Sequence, residues 1–144
     1  MEESTGEWFN TLPCYGRIYR LIDGAVDVSS KTNRISAIVA LGASGDPRAV
    51  RSLVAACNDV DPEIRWHATE ALWKLRSGRA VNALVERLKD KSEQPQTRQR
   101  AADALATIRS FSAIEELKNR SMDTEEEPAI RSYVAEVMDR TGIT

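Results

Sequence analysis

The chain holds one histidine, His67, and two cysteines, Cys14 and Cys57, in 144 residues. A lone histidine cannot build a multi-histidine metal site, and it gives no His-Ser or His-Cys catalytic set to assemble. The cysteines have no metal-ligand spacing, and Cys57 ends an apolar period at the position that Leu88 holds in the next copy, so it reads as a small core residue. No run approaches the ~18 apolar residues that cross a bilayer. Glu2, Glu3 and Glu7 make the amino terminus acidic, unlike a signal peptide, and the expected location is cytoplasmic with no membrane contact. A phosphate-binding loop is missing too: Gly42-Ala43-Ser44-Gly45 lacks the lysine and strand context of a P-loop and reads as a turn. Net charge is −2 and no uniform basic stripe runs along the chain, which argues against nucleic acid. No catalytic residue, metal ligand or cofactor is expected.

What the chain has is helical period. Between Asp61 and Asp90, an N-cap aspartate and a first-turn proline precede Ile64, Ala68, Ala71, Leu72 and Leu75 at three- and four-residue spacing. Ser77-Gly78 interrupts, and Val81, Leu84, Val85 and Leu88 resume the same period, so the unit predicts two amphipathic helices joined by a tight turn. The pattern recurs. Arg34, Ala37 and Leu41 match Arg65, Ala68 and Leu72, then Arg98, Ala101 and Leu105, then Arg131, Val134 and Met138, at spacings of 31, 33 and 33 residues. A fixed period of this length means stacked repeats rather than one closed globule. The expected fold is therefore all-α, an α-solenoid of stacked helical hairpins.

Asp-Pro-x-x-Arg-x-x-Ala-x-x-x-Leu, a turn, then Ala-Val-x-x-Leu-Val-x-x-Leu-x-Asp resembles the short HEAT-like repeat of the phycobilisome-lyase type, over about residues 15–141. Trp73 stands where that family usually has glycine, and Ser110-Phe111-Ser112 replaces its Gly-Asp-Pro turn. The resemblance implies an α-α superhelix and leaves function open, because such repeats serve lyase subunits, hydroxylases, DNA-repair proteins and adaptors. Likeness to the deoxyhypusine hydroxylases stops at histidine: they carry several His-Glu dipeptides for iron, and this chain has none. One domain is expected over 1–144. It comprises a degenerate capping repeat at 1–28 with a short turn over Glu7–Leu12, full repeats at 29–60, 61–92 and 93–124, and a half repeat at 125–144. Lys91–Thr97 reads as a surface bulge that supplies the two extra residues of period, and Glu125-Glu126-Glu127 as acidic first-turn charge.

Surfaces remain. The periodic pairs Asp27/Arg34, Asp59/Arg65, Asp90/Arg98 and Asp123/Arg131 predict contacts between repeats. Second helices are expected to line the concave face, which makes Arg20, Arg48, Arg51, Arg79, Asn82 and Glu86 candidates for binding an acidic segment of a protein partner. Trp66 and Trp73, seven residues apart, form with Ile35 and Val39 an expected outer patch for a partner or a dimer. Ile130, Val134, Val137 and Met138, on a helix with no following partner, suggest a weak homodimer through the C-terminal helix. The first functional expectation is a non-enzymatic protein-binding scaffold. By resemblance, the next is a lyase-like subunit or chaperone for a bilin-carrying protein, and then a DNA-binding protein.

Overall fold

Short polar side chains and prolines set where the helices start. Ser30, Asp61 and Ser110 sit at N-caps in extended backbone and accept from the N–H of Asn33, Glu63 and Ala113, satisfying donors that a first helical turn leaves free. Pro62, Pro95 and Pro128 follow in the first turn, where a missing N–H costs nothing. The computed structural model describes residues 15–144. It contains eight α-helices there: α1 Tyr15–Ala25, α2 Lys31–Ala43, α3 Val50–Ala56, α4 Pro62–Leu75, α5 Val81–Lys89, α6 Pro95–Ile108, α7 Phe111–Met122 and α8 Pro128–Thr141. Single 3-10 turns, Pro47–Ala49 and Gly78–Ala80, lead into α3 and α5. The expected turn over Glu7–Leu12, and Cys14, lie outside the described residues.

The helices form an α-solenoid of two layers. α2, α4, α6 and α8 make the first-helix layer, in which neighbours pack on each other and each packs on the second helix that precedes it. α1, α3, α5 and α7 make the other layer. The leucines that carry the period meet between the layers: Leu41, Leu72 and Leu105 from one, Leu53, Leu84 and Leu117 from the other, all sealed from solvent. Burying each contributes roughly 1.5–3 kcal/mol. Among the described residues no helix is long and apolar enough to cross a membrane.

Two expectations change and one is refined. Gly42 belongs to no turn. It is buried inside α2, and a Cβ there would come within 2.7 Å of Ala71 in α4, so its lack of a side chain sets how closely α2 and α4 approach. The turn is made at Gly45, whose φ is +66. The Lys91–Thr97 stretch lies at the surface as expected, with Lys91, Ser92, Gln94, Pro95 and Gln96 exposed, but it is not all loop: Pro95 already belongs to α6, and Glu93 and Thr97 turn inward and are buried. On α8 the expected open apolar face is closed, since Ile130, Val134 and Val137 are buried against α6 and α7 and Met138 is half-buried. The Ile143 N–H also turns back onto the Met138 carbonyl and buries that side chain.

Candidate functional site

An arginine at one position of each first helix ties the hairpins together. Nε of Arg34 donates to the Ala25 carbonyl at 3.0 Å and Nη2 to Asp59 Oδ2 at 2.8 Å. Arg65 donates to the carbonyls of Asp59 and Val60 and grips Glu93 with Nε and Nη2 at 2.6 and 3.2 Å. Arg98 donates to the Leu88 carbonyl at 2.9 Å and to Glu126 at 2.7 Å. Each guanidinium thus satisfies a carbonyl at the end of the preceding second helix and a carboxylate beyond the following one. The arginines stand where they were expected, but none of the expected carboxylate pairs forms: Arg34 takes Asp59 rather than Asp27, whose Oδ1 accepts from Ser29, Arg65 meets Asp59 only at its carbonyl, and Arg131 meets only the carbonyl of Asp123. Asp90 accepts instead from the N–H and hydroxyl of Ser92, and Asp123 from the Glu125 N–H. The acids that face inward are Glu93 and Glu126, set by the turn Asp-x-x-Glu-x-Pro, in which their own N–H groups bond the carbonyls of Asp90 and Asp123.

Arg87 and Arg120, from the second helices, reach the same two carboxylates. Burial works to raise Glu126, but the hydrogen bonds from Arg98, Arg120 and the Glu127 N–H outweigh it and bring the carboxyl down to about 2. Glu93 is lowered by the same balance, with Arg65, Gln94 N–H and Arg87 against burial. These charges are engaged inside the fold, so they stabilise it and are closed to a substrate. Cys57 is equally closed: it is fully buried beside Thr69, and burial pushes its thiol up to about 11. Among the described residues no three potential metal ligands converge.

The first-helix layer carries the most developed open feature. Arg100 of α6 lies over both indoles of α4, its guanidinium carbon 5.8 Å from the Trp66 ring centroid and 4.3 Å from that of Trp73, within the range where a cation is drawn to a ring face. Glu70 and Asp103 flank it at 3.6 and 3.4 Å. The Tyr133 hydroxyl of α8 donates to Asp103 at 2.9 and 3.0 Å, and Arg140 stands 3.5 Å from the same carboxylate. Burial raises the Asp103 carboxyl against the lowering pull of Tyr133 and the two arginines, and burial followed by Asp103 raises the Tyr133 phenol. Two hollows meet at Arg100 and Asp103. One, of about 180 Å³, is walled by Trp66, Gln99 and Tyr133; the other, of about 280 Å³, by Trp73, Thr107 and Arg140. Together they make a groove of mixed polar and apolar lining along α6, between an indole wall on α4 and the Tyr133/Arg140 wall on α8.

Of the expected outer patch, both tryptophans are half-buried at this groove, while Ile35 is half-buried on α2 and Val39 is 44% exposed. The charged group that meets the indoles comes from α6, one helix further along than the apolar pattern pointed. Arg100, Asp103, Tyr133 and Arg140 were missed, although Arg100 lies one residue past the repeat equivalent of Trp66. On the other layer Arg20, Arg48, Arg51, Arg79, Asn82 and Glu86 are all exposed. Arg48 is held by Asp46 at 2.6 Å and lies over the Tyr19 ring at 5.7 Å, so it is less available than its exposure suggests.

Stacked hairpins, a sealed leucine seam and an arginine rung in each hairpin define a helical-repeat protein of the α-solenoid class. The chain belongs to the HEAT-repeat family, whose model matches residues 18–95, more than half of its length. Among solved structures it is similar to human deoxyhypusine hydroxylase in complex with glycerol, at 24% identity and a TM-score of 0.75. The match covers 87% of this chain and 43% of that one, so the likeness is one of fold and the chain spans less than half of that protein. No curated protein matches it.

Proposed function

We propose that this protein is a non-enzymatic scaffold that holds a protein partner in the groove along α6. The observation that supports it is Arg100 set between Trp66 and Trp73 with Asp103 and Tyr133 beside it. Tryptophan, tyrosine and arginine are the residues that dominate binding energy at protein interfaces. A groove already holding its arginine by two rings and two carboxylates loses little side-chain freedom when a partner segment settles on it. Each hollow lies below the roughly 300–1,000 Å³ usual for small-ligand pockets, and charged side chains stand among the rings in their walls. That favours a segment of another protein over the tetrapyrrole that a phycobilisome-lyase type of role would require.

Affinity capture from the native host identifies the partner, and variants then locate its site. Trp73→Ala and Arg100→Ala should each weaken binding at least tenfold, by roughly 1.4 kcal/mol or more. The triple change Arg48→Glu, Arg51→Glu and Arg79→Glu should leave it in place. The reverse pattern, with affinity falling steeply in salt, would assign the partner to the arginines of the second-helix layer instead.

A further inference from the structure

The groove along α6 is unevenly charged along its length. Glu70 and Asp103 stand beside Arg100 in its middle, whereas the end toward Thr141 carries cations on both rims. On the α8 side, Arg140 walls the second hollow with 58% of its side chain exposed, and Arg109 donates from Nη1 to the carbonyl of Thr141, which walls the same hollow. On the α4 side, Lys74 holds the repeat position of Thr107 and Arg140, level with that hollow, and Arg76 follows at the end of the helix. Lys74, Arg76 and Arg109 are exposed, and among the described residues none of them pairs with a carboxylate. The exposed acids of α8 do not cancel this charge. Glu136 and Asp139 hold the positions of Glu70 and Trp73, which face the following helix, where Arg100 meets them. On α8 the same positions point away from α6, and neither residue walls a hollow.

Two further observations concern the arginines themselves. Arg100 makes one hydrogen bond among the described residues, a long one of 3.4 Å to Asp103. Its Nη2 stands 3.6 Å from Glu70, beyond bonding range, and its Nε is buried with no acceptor. A guanidinium stacked on indoles and bonded so sparsely keeps donors for a carboxylate. Arg76 and Arg109, in consecutive repeats, both close their helices in the left-handed region, at φ of 55 and 57, where α8 uses Gly142. Arginine there costs stability that glycine would not, and backbone strain of that kind collects at functional sites.

We infer that the segment bound in this groove is an acidic peptide, with one carboxylate on Arg100 and others between the Lys74 and Arg140 rims; the inference rests on the groove being the binding site. Arg100 and Thr107 are two turns and roughly 10 Å apart along α6, a distance that about three residues of extended peptide span. Acids at that spacing reach both the stacked guanidinium and the rim. A phosphate backbone fits less well, because it carries a charge at every nucleotide and Glu70 and Asp103 oppose those in the middle of the groove. A peptide can place neutral residues there. The rim charges are exposed, so salt weakens the contact.

Trp8→Phe leaves Trp66 and Trp73 as the only indoles of the chain, so their fluorescence reports the groove. In that background a synthetic peptide of alternating glutamate and glycine should titrate the signal to saturation, its lysine counterpart should not, and the affinity should fall as salt is added. Lys74→Glu and Arg140→Glu should each weaken binding about fivefold or more, with Arg140→Gln taking the place of the second if it loses helix by circular dichroism. A glutamate peptide that leaves the fluorescence unchanged or titrates like the lysine peptide would overturn the inference. So would an oligothymidylate that binds more tightly with the same response to the variants. The captured native partner separates this inference from the reading beneath it. A partner lost with Trp73→Ala yet held through both charge reversals and rising salt would overturn the acidic segment and leave the groove standing; a partner held through Trp73→Ala as well would overturn both.

Discussion

Arg98 and Glu126 meet at 2.7 Å with side chains only 1% and 0% exposed, across 28 residues of sequence and two helices. Removing one partner of such a pair strands the other charge out of water. Arg98→Ala should therefore cost about 3–5 kcal/mol. Arg65→Ala, at a rung where the guanidinium is 18% exposed, should cost about 1–3 kcal/mol. Urea unfolding of both variants checks the order; equal losses below about 1 kcal/mol would mean the ladder is decoration.

The same carboxylate fixes an acid limit. Glu126 sits at about 2 in the folded chain against an ordinary 4.5. A folded value below the unfolded one gives stability that is complete above about 4.5 and is lost as pH falls toward 2, in all roughly 3 kcal/mol. Glu93 and Asp59 are lowered too and add loss of the same sign. Urea midpoints measured through this interval should fall steadily. Glu126→Gln should flatten that fall while lowering the midpoint at neutral pH.

Arg76 closes α4 in the left-handed region, at a φ of 55, where α8 uses Gly142 at 74. An L side chain is strained there and glycine is not. Arg76→Gly should raise stability by about 0.5–1 kcal/mol. Arg109, at a φ of 57, should gain less from the same change, because its Nη1 donates to the Thr141 carbonyl at 2.6 Å. Thermal melts of the two variants compare them, and a drop for Arg76→Gly would refute the strain argument.

Cys57 should resist thiol reagents in the folded chain. It is sealed from solvent, and its thiol stays protonated until about pH 11. In a Cys14→Ser background, labelling at pH 8 should follow the rate of unfolding and speed up only as denaturant is added. Rapid labelling without denaturant would place the sulfur at a surface.

The sequence by itself determined the stack. Caps at Ser30 and Asp61, first-turn prolines, and leucines at Leu41, Leu72 and Leu105 each act within one or two helical turns, so a period of 3.6 inside a period of 31–33 residues is enough to expose them. It also placed an arginine at every boundary. Which acid answers that arginine was decided in three dimensions, because two extra residues in the Asp-x-x-Glu-x-Pro turn swing Glu93 and Glu126 inward while Asp90 and Asp123 cap the turn. The groove was decided the same way. Trp66 and Trp73 stood out as a helix-spaced pair, but Arg100, Asp103 and Tyr133 are ordinary polar residues on two other helices. Only the packing of α4, α6 and α8 side by side brings a cation over both rings and a half-buried carboxylate under a tyrosine hydroxyl, since contacts between helices depend on how closely they approach and not on the order of residues along any one of them.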